Sequence, residues 1–162
     1  MDKKSLIVEA TKLRTSKKFE DALALLQPLH QSNPEDPNVN YHLAWTYDSM
    51  GQETLAVSFY ERAIANNLVE NRLGALLGLG STYRCLGEFE KSLGVFDRAI
   101  EEFPQDRALK VFRAMALYNF GKSESAVSEL LIQLLDTTID PSIKKYDGAL
   151  RFYSDKLNET WT

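Results

Sequence analysis

The chain has 162 residues, 44% hydrophobic and 26% charged, with a formal net charge of -4. These values are ordinary for a soluble globular protein of one domain's length. The acidic balance argues against nonspecific nucleic-acid binding, which needs a basic surface, and no apolar run approaches the ~18 residues of a membrane span. At the start, Met1-Asp2-Lys3-Lys4-Ser5 leads into only Leu6 to Val8 before Glu9. That stretch is too short for a signal peptide. A single cysteine, Cys85, cannot form an intramolecular disulfide, which fits a reducing cytoplasm.

Apolar periodicity and chain breakers predict nine helices, at roughly 3–16, 19–32, 37–50, 53–67, 72–86, 89–102, 107–120, 123–136 and 141–158. The first two meet at Lys17, where a less regular turn is expected than at a glycine. Pro34-Glu35-Asp36-Pro37 ends the second helix and starts the third, with Asp36 as N-cap and Pro37 at the first helical position. Gly51, Gly87 and Gly121 fall between later helices, where a residue able to take positive φ ends a helix at little cost. Pro104-Gln105-Asp106 and Asp140-Pro141 repeat the stop-and-start signal. The last stretch places Ile143, Tyr146, Leu150, Tyr153 and Leu157 on one face, with Lys144, Lys145, Asp147, Arg151, Asp155 and Lys156 on the other.

A block of about 34 residues recurs along the chain. Leu43-Ala44-x-x-Tyr47, Gly51, Ala56-x-x-x-Tyr60 and Ala63 align with Leu79-Gly80-x-x-Tyr83, Gly87, Ser92-x-x-x-Phe96, Ala99 and Pro104, with a two-residue insertion around Asn71 and Arg72. One period onward lie Ala114-x-x-Leu117, Gly121 and Ala126-x-x-x-Leu130; one period back lie Ala10-x-x-Leu13, Ala22-x-x-x-Leu26 and Pro34. This pattern resembles the tetratricopeptide repeat family, W-x2-L-G-x2-Y, then A-x3-F, then P. The resemblance covers the whole chain and is closest in the third copy. It implies an all-α fold, a right-handed superhelical stack of four helix pairs plus a C-terminal capping helix. A single domain over 1–162 is expected, with repeats at about 3–36, 37–70, 73–106 and 107–140 and the cap at 141–158. The type implied is a small stand-alone bacterial protein of this family. In each repeat, small residues (Ala44, Gly80, Ala56, Ser92) let the helices approach, and Tyr47, Tyr60, Tyr83 and Phe96 fill the spaces between them. One pair cannot bury its own apolar face, so several must stack. Lys110 and Arg113 stand where the family has large apolar residues, which makes the fourth pair the most divergent.

No constellation in the chain points to an enzyme. Gly74-x-x-x-Gly78-x-Gly80 lies inside a predicted helix with no strand before it, so it lacks the free helix N-terminus of a phosphate loop and reads as close helix packing. Cys85 has no second cysteine, and His30 and His42 lack metal-ligand spacing. Glu88, Glu90 and Glu101-Glu102 read as solvated helix faces. Catalytic residues, metal and cofactor are all expected to be absent.

What remains is binding. The resemblance implies that the first helix of each pair lines a concave surface where partners lie. Carried over position by position, the partner-binding residues are Tyr41, Trp45, Arg84, Phe112, Met115 and Tyr118, expected on one concave surface with room left by Gly78 and Ser81. Tyr41 and Trp45 are four apart and share a helical face, and Trp45 is not required by the repeat. Aromatics with a few arginines are what binding hot spots are made of. Arg14 and Arg84 would supply cations, each read as solvated. The basic clamp with which some relatives hold a terminal carboxylate is missing, because its positions read Ile7, Thr11, His42, Gly74 and Gly78. One repeat later they read Tyr41, Trp45, Gly78, Ala108 and Phe112. The expected function is an adaptor or small regulatory subunit that binds a protein or peptide segment in its groove, in the cytoplasm, without nucleic acid or membrane. The alternative is self-association, with a homodimer burying Phe152, Tyr153 and Trp161.

Overall fold

The computed structural model describes residues 2–162, and every regular element among them is an α-helix. In chain order these are α1 (Lys3–Thr15), α2 (Phe19–Ser32), α3 (Pro37–Ser49), α4 (Glu53–Ala65) and α5 (Arg72–Cys85). They are followed by α6 (Phe89–Glu102), α7 (Arg107–Asn119), α8 (Ser123–Thr137), α9 (Pro141–Lys144) and α10 (Asp147–Ser154). The chain divides into two compact units, one ending at Gly87 and the other running from Glu88 to Thr162.

In the first unit α1 packs on α2 and both on α3, while α3 and α5 pack against α4. Ala10 and Ala22 are completely buried at the α1–α2 contact, and Leu23, Leu26, Val39 and Leu43 close the core around them. Ile7, Leu13, Leu29 and Tyr47 pack on its margin, with the Tyr47 ring stacked on Phe59 at 5.5 Å between centroids. Asp36 caps α3 by accepting from the Asn38 and Val39 amides, both at 3.0 Å, and its other oxygen takes a 2.7 Å bond from Lys3 of α1. A helix start and a helix–helix tie therefore rest on one carboxylate.

In the second unit α6 packs on α7, α7 on α8, and α10 on α8. Phe96, Ala99, Leu109, Ala114, Leu117 and Ala126 are buried. Arg113 takes the place of the pattern's large apolar residue on α7. Its guanidinium bonds Asp97 of α6 at 2.6 Å and Glu129 of α8 at 2.8 Å. Burial disfavours its charge, but these two hydrogen bonds outweigh that cost and raise its pKa. A bridge of charges thus joins three helices where the rest of the family pattern uses packing.

Two sequence expectations need correction. The turn at Lys17 is as regular as those at glycine. Lys17 takes φ 60°, beside 71° at Gly51 and 82° at Gly121. Its amide bonds Arg14 O at 2.9 Å and the next amide bonds Leu13 O at 2.8 Å, the same pattern as Gly51 to Asp48 at 3.0 Å and Gln52 to Tyr47 at 2.9 Å. A side chain in the left-handed region costs about 1–2 kcal/mol, so Lys17→Gly is expected to raise stability by about 1 kcal/mol in urea unfolding. An unchanged or lower midpoint would contradict that strain.

The two-residue insertion is absorbed in the connection 66–71, where Asn67 and Asn71 take φ 58° and 64°, and Arg72 already belongs to α5. The ninth helix, expected unbroken over 141–158, is two helices, so the described residues hold ten. Asp140 caps α9 through the Ser142 amide at 2.8 Å. The ladder then tightens to a Tyr146-to-Ile143 bond at 3.0 Å and restarts at Asp147, which pairs with Arg151 at 2.9 Å. Gly148, a poor helix former, sits in the first turn after the break. Ile143, Leu150 and Ser154 are drawn inward, whereas Tyr146, Tyr153 and Leu157 of the expected apolar face stay exposed.

Candidate partner-binding surface

Trp45 of α3 is 42% exposed and has no place in the repeat's own packing. Beneath it lies Arg14, from the last turn of α1, whose guanidinium carbon is 3.9 Å from the centroid of the Trp45 ring. Arg14 itself is only 5% exposed. The sequence reading of a solvated cation is therefore wrong. Arg14 follows Ala10 by one helical turn, so it shares the face that α1 buries. That spacing was the available signal.

Tyr41, one turn before Trp45, is buried at 5% exposure. Its ring lies 5.8 Å from Trp45, 5.0 Å from His42 and 6.4 Å from Tyr60, centroid to centroid. Its face is spent on these neighbours, so Tyr41 props the Trp45 ring and presents little surface of its own. His42 accepts a weak contact from Arg14 at Nδ1, 3.5 Å away, and this leaves Nε2 as the protonated nitrogen. Burial first, and then the charge of Arg14, lowers the His42 pKa to about 4. The imidazole is neutral at physiological pH.

The room expected at Gly78 is already filled. A Cβ on Gly78 would stand 2.5 Å from Cζ of Tyr60, and one on Gly74 would stand 2.8 Å from the Tyr41 hydroxyl. The glycines of α5 thus admit tyrosines of α3 and α4. Tyr60 is anchored from its far end, its hydroxyl 3.5 Å from Asp48, and Asp48 also accepts from Thr82 at 3.2 Å. Burial raises the Asp48 carboxyl above its ordinary value, against the pull of the Thr82 bond. Because Tyr60 cannot withdraw, Gly78→Ala is expected to cost about 1–3 kcal/mol. Gly94→Ala, mid-helix with nothing within 4 Å of its Cβ, should instead stabilise by about 0.5–1 kcal/mol. Equal effects at the two positions would contradict the tyrosine-in-glycine packing.

Arg84 of α5 is half-buried, with Nη2 4.0 Å from the Cys85 sulfur. In the second unit, Phe112, Met115 and Tyr118 follow one another along α7. Phe112 is half-buried against Phe96, 6.4 Å between centroids, while Met115 and especially Tyr118, 66% exposed, project outward. Exposed Phe152, Tyr153 and Trp161 form a separate group, the tail tryptophan lying 6.3 Å from Phe152 and 5.5 Å from Tyr153. Among the described residues, no helix is long and apolar enough to cross a membrane.

This architecture agrees with known proteins. The model of a family described as Tetratrico peptide repeat matches residues 37–157, and the chain belongs to that family, whose members are protein-interaction scaffolds. No curated protein matches the sequence. Among solved structures, the chain is similar to YrrB, described as a TPR protein with an unusual peptide-binding site. The TM-score is 0.72 and the identity 19%, over 95% of this chain and 77% of that one. It is also similar to MamA, with TM-score 0.71 and 18% identity over 96% of this chain and 90% of the other. A thermophilic TPR protein of Thermus thermophilus, TTC0263, gives TM-score 0.69 and 21% identity over 97% and 85%. At these identities the likeness speaks for the fold.

Proposed function

We propose that this protein is an adaptor or small regulatory subunit of the cytoplasm that binds a peptide or an extended segment of another protein. In the first unit the contact residues are Trp45, its support Tyr41, and Arg84; in the second unit Phe112, Met115 and Tyr118 form a strip of their own. The observation that carries this reading is Trp45, an aromatic side chain left 42% exposed above a buried guanidinium while the tyrosines around it are packed away. The peptide-binding site ascribed to YrrB supports it. No catalytic role is proposed.

The test is selection from a displayed library of short linear peptides, followed by titration. Trp45→Ala is expected to weaken the best peptide tenfold or more, about 1.4 kcal/mol or above, with an unchanged melting temperature. Equal affinity for both proteins would remove Trp45 from the site. A second reading, self-association, is favoured by the exposed rings of Phe152, Tyr153 and Trp161. Light scattering would show a dimer that Trp161→Ala dissolves if it holds.

A further inference from the structure

Arg14 is a buried charge that the chain does not neutralise. Its guanidinium carries five N–H donors, and its contacts among the described residues are the Trp45 face at 3.9 Å and His42 Nδ1 at 3.5 Å. No carboxylate among the described residues pairs with it. The nearby ionisable groups that act on it are the phenols of Tyr41 and Tyr60, and burial raises the pKa of each, so both stay neutral. Asp48, on the same helix as Trp45, is committed to Thr82 and Tyr60.

Taking a guanidinium out of water is costly unless an anion and hydrogen bonds compensate. The desolvation lowers the Arg14 pKa below its ordinary value. Yet the remaining donors are not sealed off, since none of its nitrogens is both wholly buried and unpartnered. The indole above holds one face of the guanidinium by cation–π attraction, and donors other than the one facing His42 remain for a carboxylate acceptor.

We propose that Arg14 is a recognition residue for an acidic side chain, Asp or Glu, of the bound peptide, with Trp45 packing on the apolar residue beside it. This rests on the reading of the Trp45 surface as a peptide site and adds the chemistry of the ligand. The carboxylate is an internal one, because the clamp residues for a chain terminus are absent. A planar guanidinium fixed against an aromatic ring suits a carboxylate's two oxygens, whereas a lysine there would offer only a point charge.

The experiment uses the full chain and the selected peptides, resynthesised with acetylated N-terminus and amidated C-terminus so that only side-chain carboxylates remain. Each acidic residue is exchanged for its amide in turn, and affinities are measured for wild type, Arg14→Lys and Arg14→Met. One exchange is expected to weaken binding to wild type at least tenfold and to change binding to Arg14→Met less than twofold, with Arg14→Lys between. Circular dichroism and melting establish that the variants fold. Should Arg14→Met not fold, the peptide exchanges on wild type and Arg14→Lys still decide. Peptides that depend on Trp45 but contain no essential acidic residue would overturn this proposal and leave the interaction site standing. An acidic exchange that weakens Arg14→Met as much as wild type would do the same. If no peptide binds wild type, both proposals fall.

Discussion

Phe96→Ala is expected to cost about 3–5 kcal/mol, the loss typical of a large aromatic truncated in a core. Phe96 has no exposed surface, and its ring rests against Phe112 of the neighbouring helix. Buried Ser92 and Ala99 lie on the same face of α6, one turn before and about one turn after. Small residues bring the helices close, so the cavity left by a deleted ring could not collapse easily. Because whole domains are stable by only about 5–15 kcal/mol, the variant should unfold at a much lower denaturant concentration. Lys91→Ala, on the exposed face of the same helix, should change stability by less than about 0.5 kcal/mol. A Phe96→Ala protein that melted like wild type would mean that the inner and outer faces of α6 have been exchanged.

The second large effect is on acid stability. His42 ordinarily titrates near 6.5 and in the fold near 4. The folded state therefore disfavours the proton, through burial and through Arg14 facing the ring, with Tyr41 against its side. As pH falls through 6.5 the unfolded chain gains a proton that the folded chain refuses until about pH 4. Stability should thus be unaffected above neutrality and decline between these values by up to roughly 3 kcal/mol, levelling below the lower one. Asp48 acts in the opposite sense, since its raised pKa makes the folded state take up its proton first. The readout is accordingly the difference between wild type and His42→Gln. The stability of wild type relative to His42→Gln should fall as the pH drops from about 7 to about 4; parallel curves would contradict a neutral, buried His42.

Helix positions were legible because their signals are local. Asp36-Pro37, Asp106 and Asp140-Pro141 cap helices in the structure where the sequence put them, and the four three-residue turns recur at the repeat spacing. Lys17 was misread for a physical reason. The geometry of a turn is imposed by the two helices it joins, and a lysine tolerates the strain when the rest of the hairpin is fixed. The break at Tyr146 depends on what α8 can cover, which no periodicity in the last segment records.

The candidate surface was legible only in part. Spacing placed Trp45 on an exposed face and marked Arg14 as a cation. It could not show that Tyr41 and Tyr60 would fill the space above Gly74 and Gly78, because those contacts join residues far apart in sequence. For the same reason Arg14 looked solvated. A long side chain at the edge of a buried stripe can turn either way, and the indole 31 positions later decides it.

The central claim is that a partner is held at Trp45. The chain has two tryptophans, so two indole N–H resonances of 15N-labelled protein report directly on the two candidate surfaces during titration with the selected blocked peptide. The Trp45 resonance is expected to shift and saturate with the measured affinity while that of Trp161 stays in place. A saturating shift of Trp161 alone, with Trp45 unmoved, would contradict the account and transfer binding to the C-terminal aromatic group.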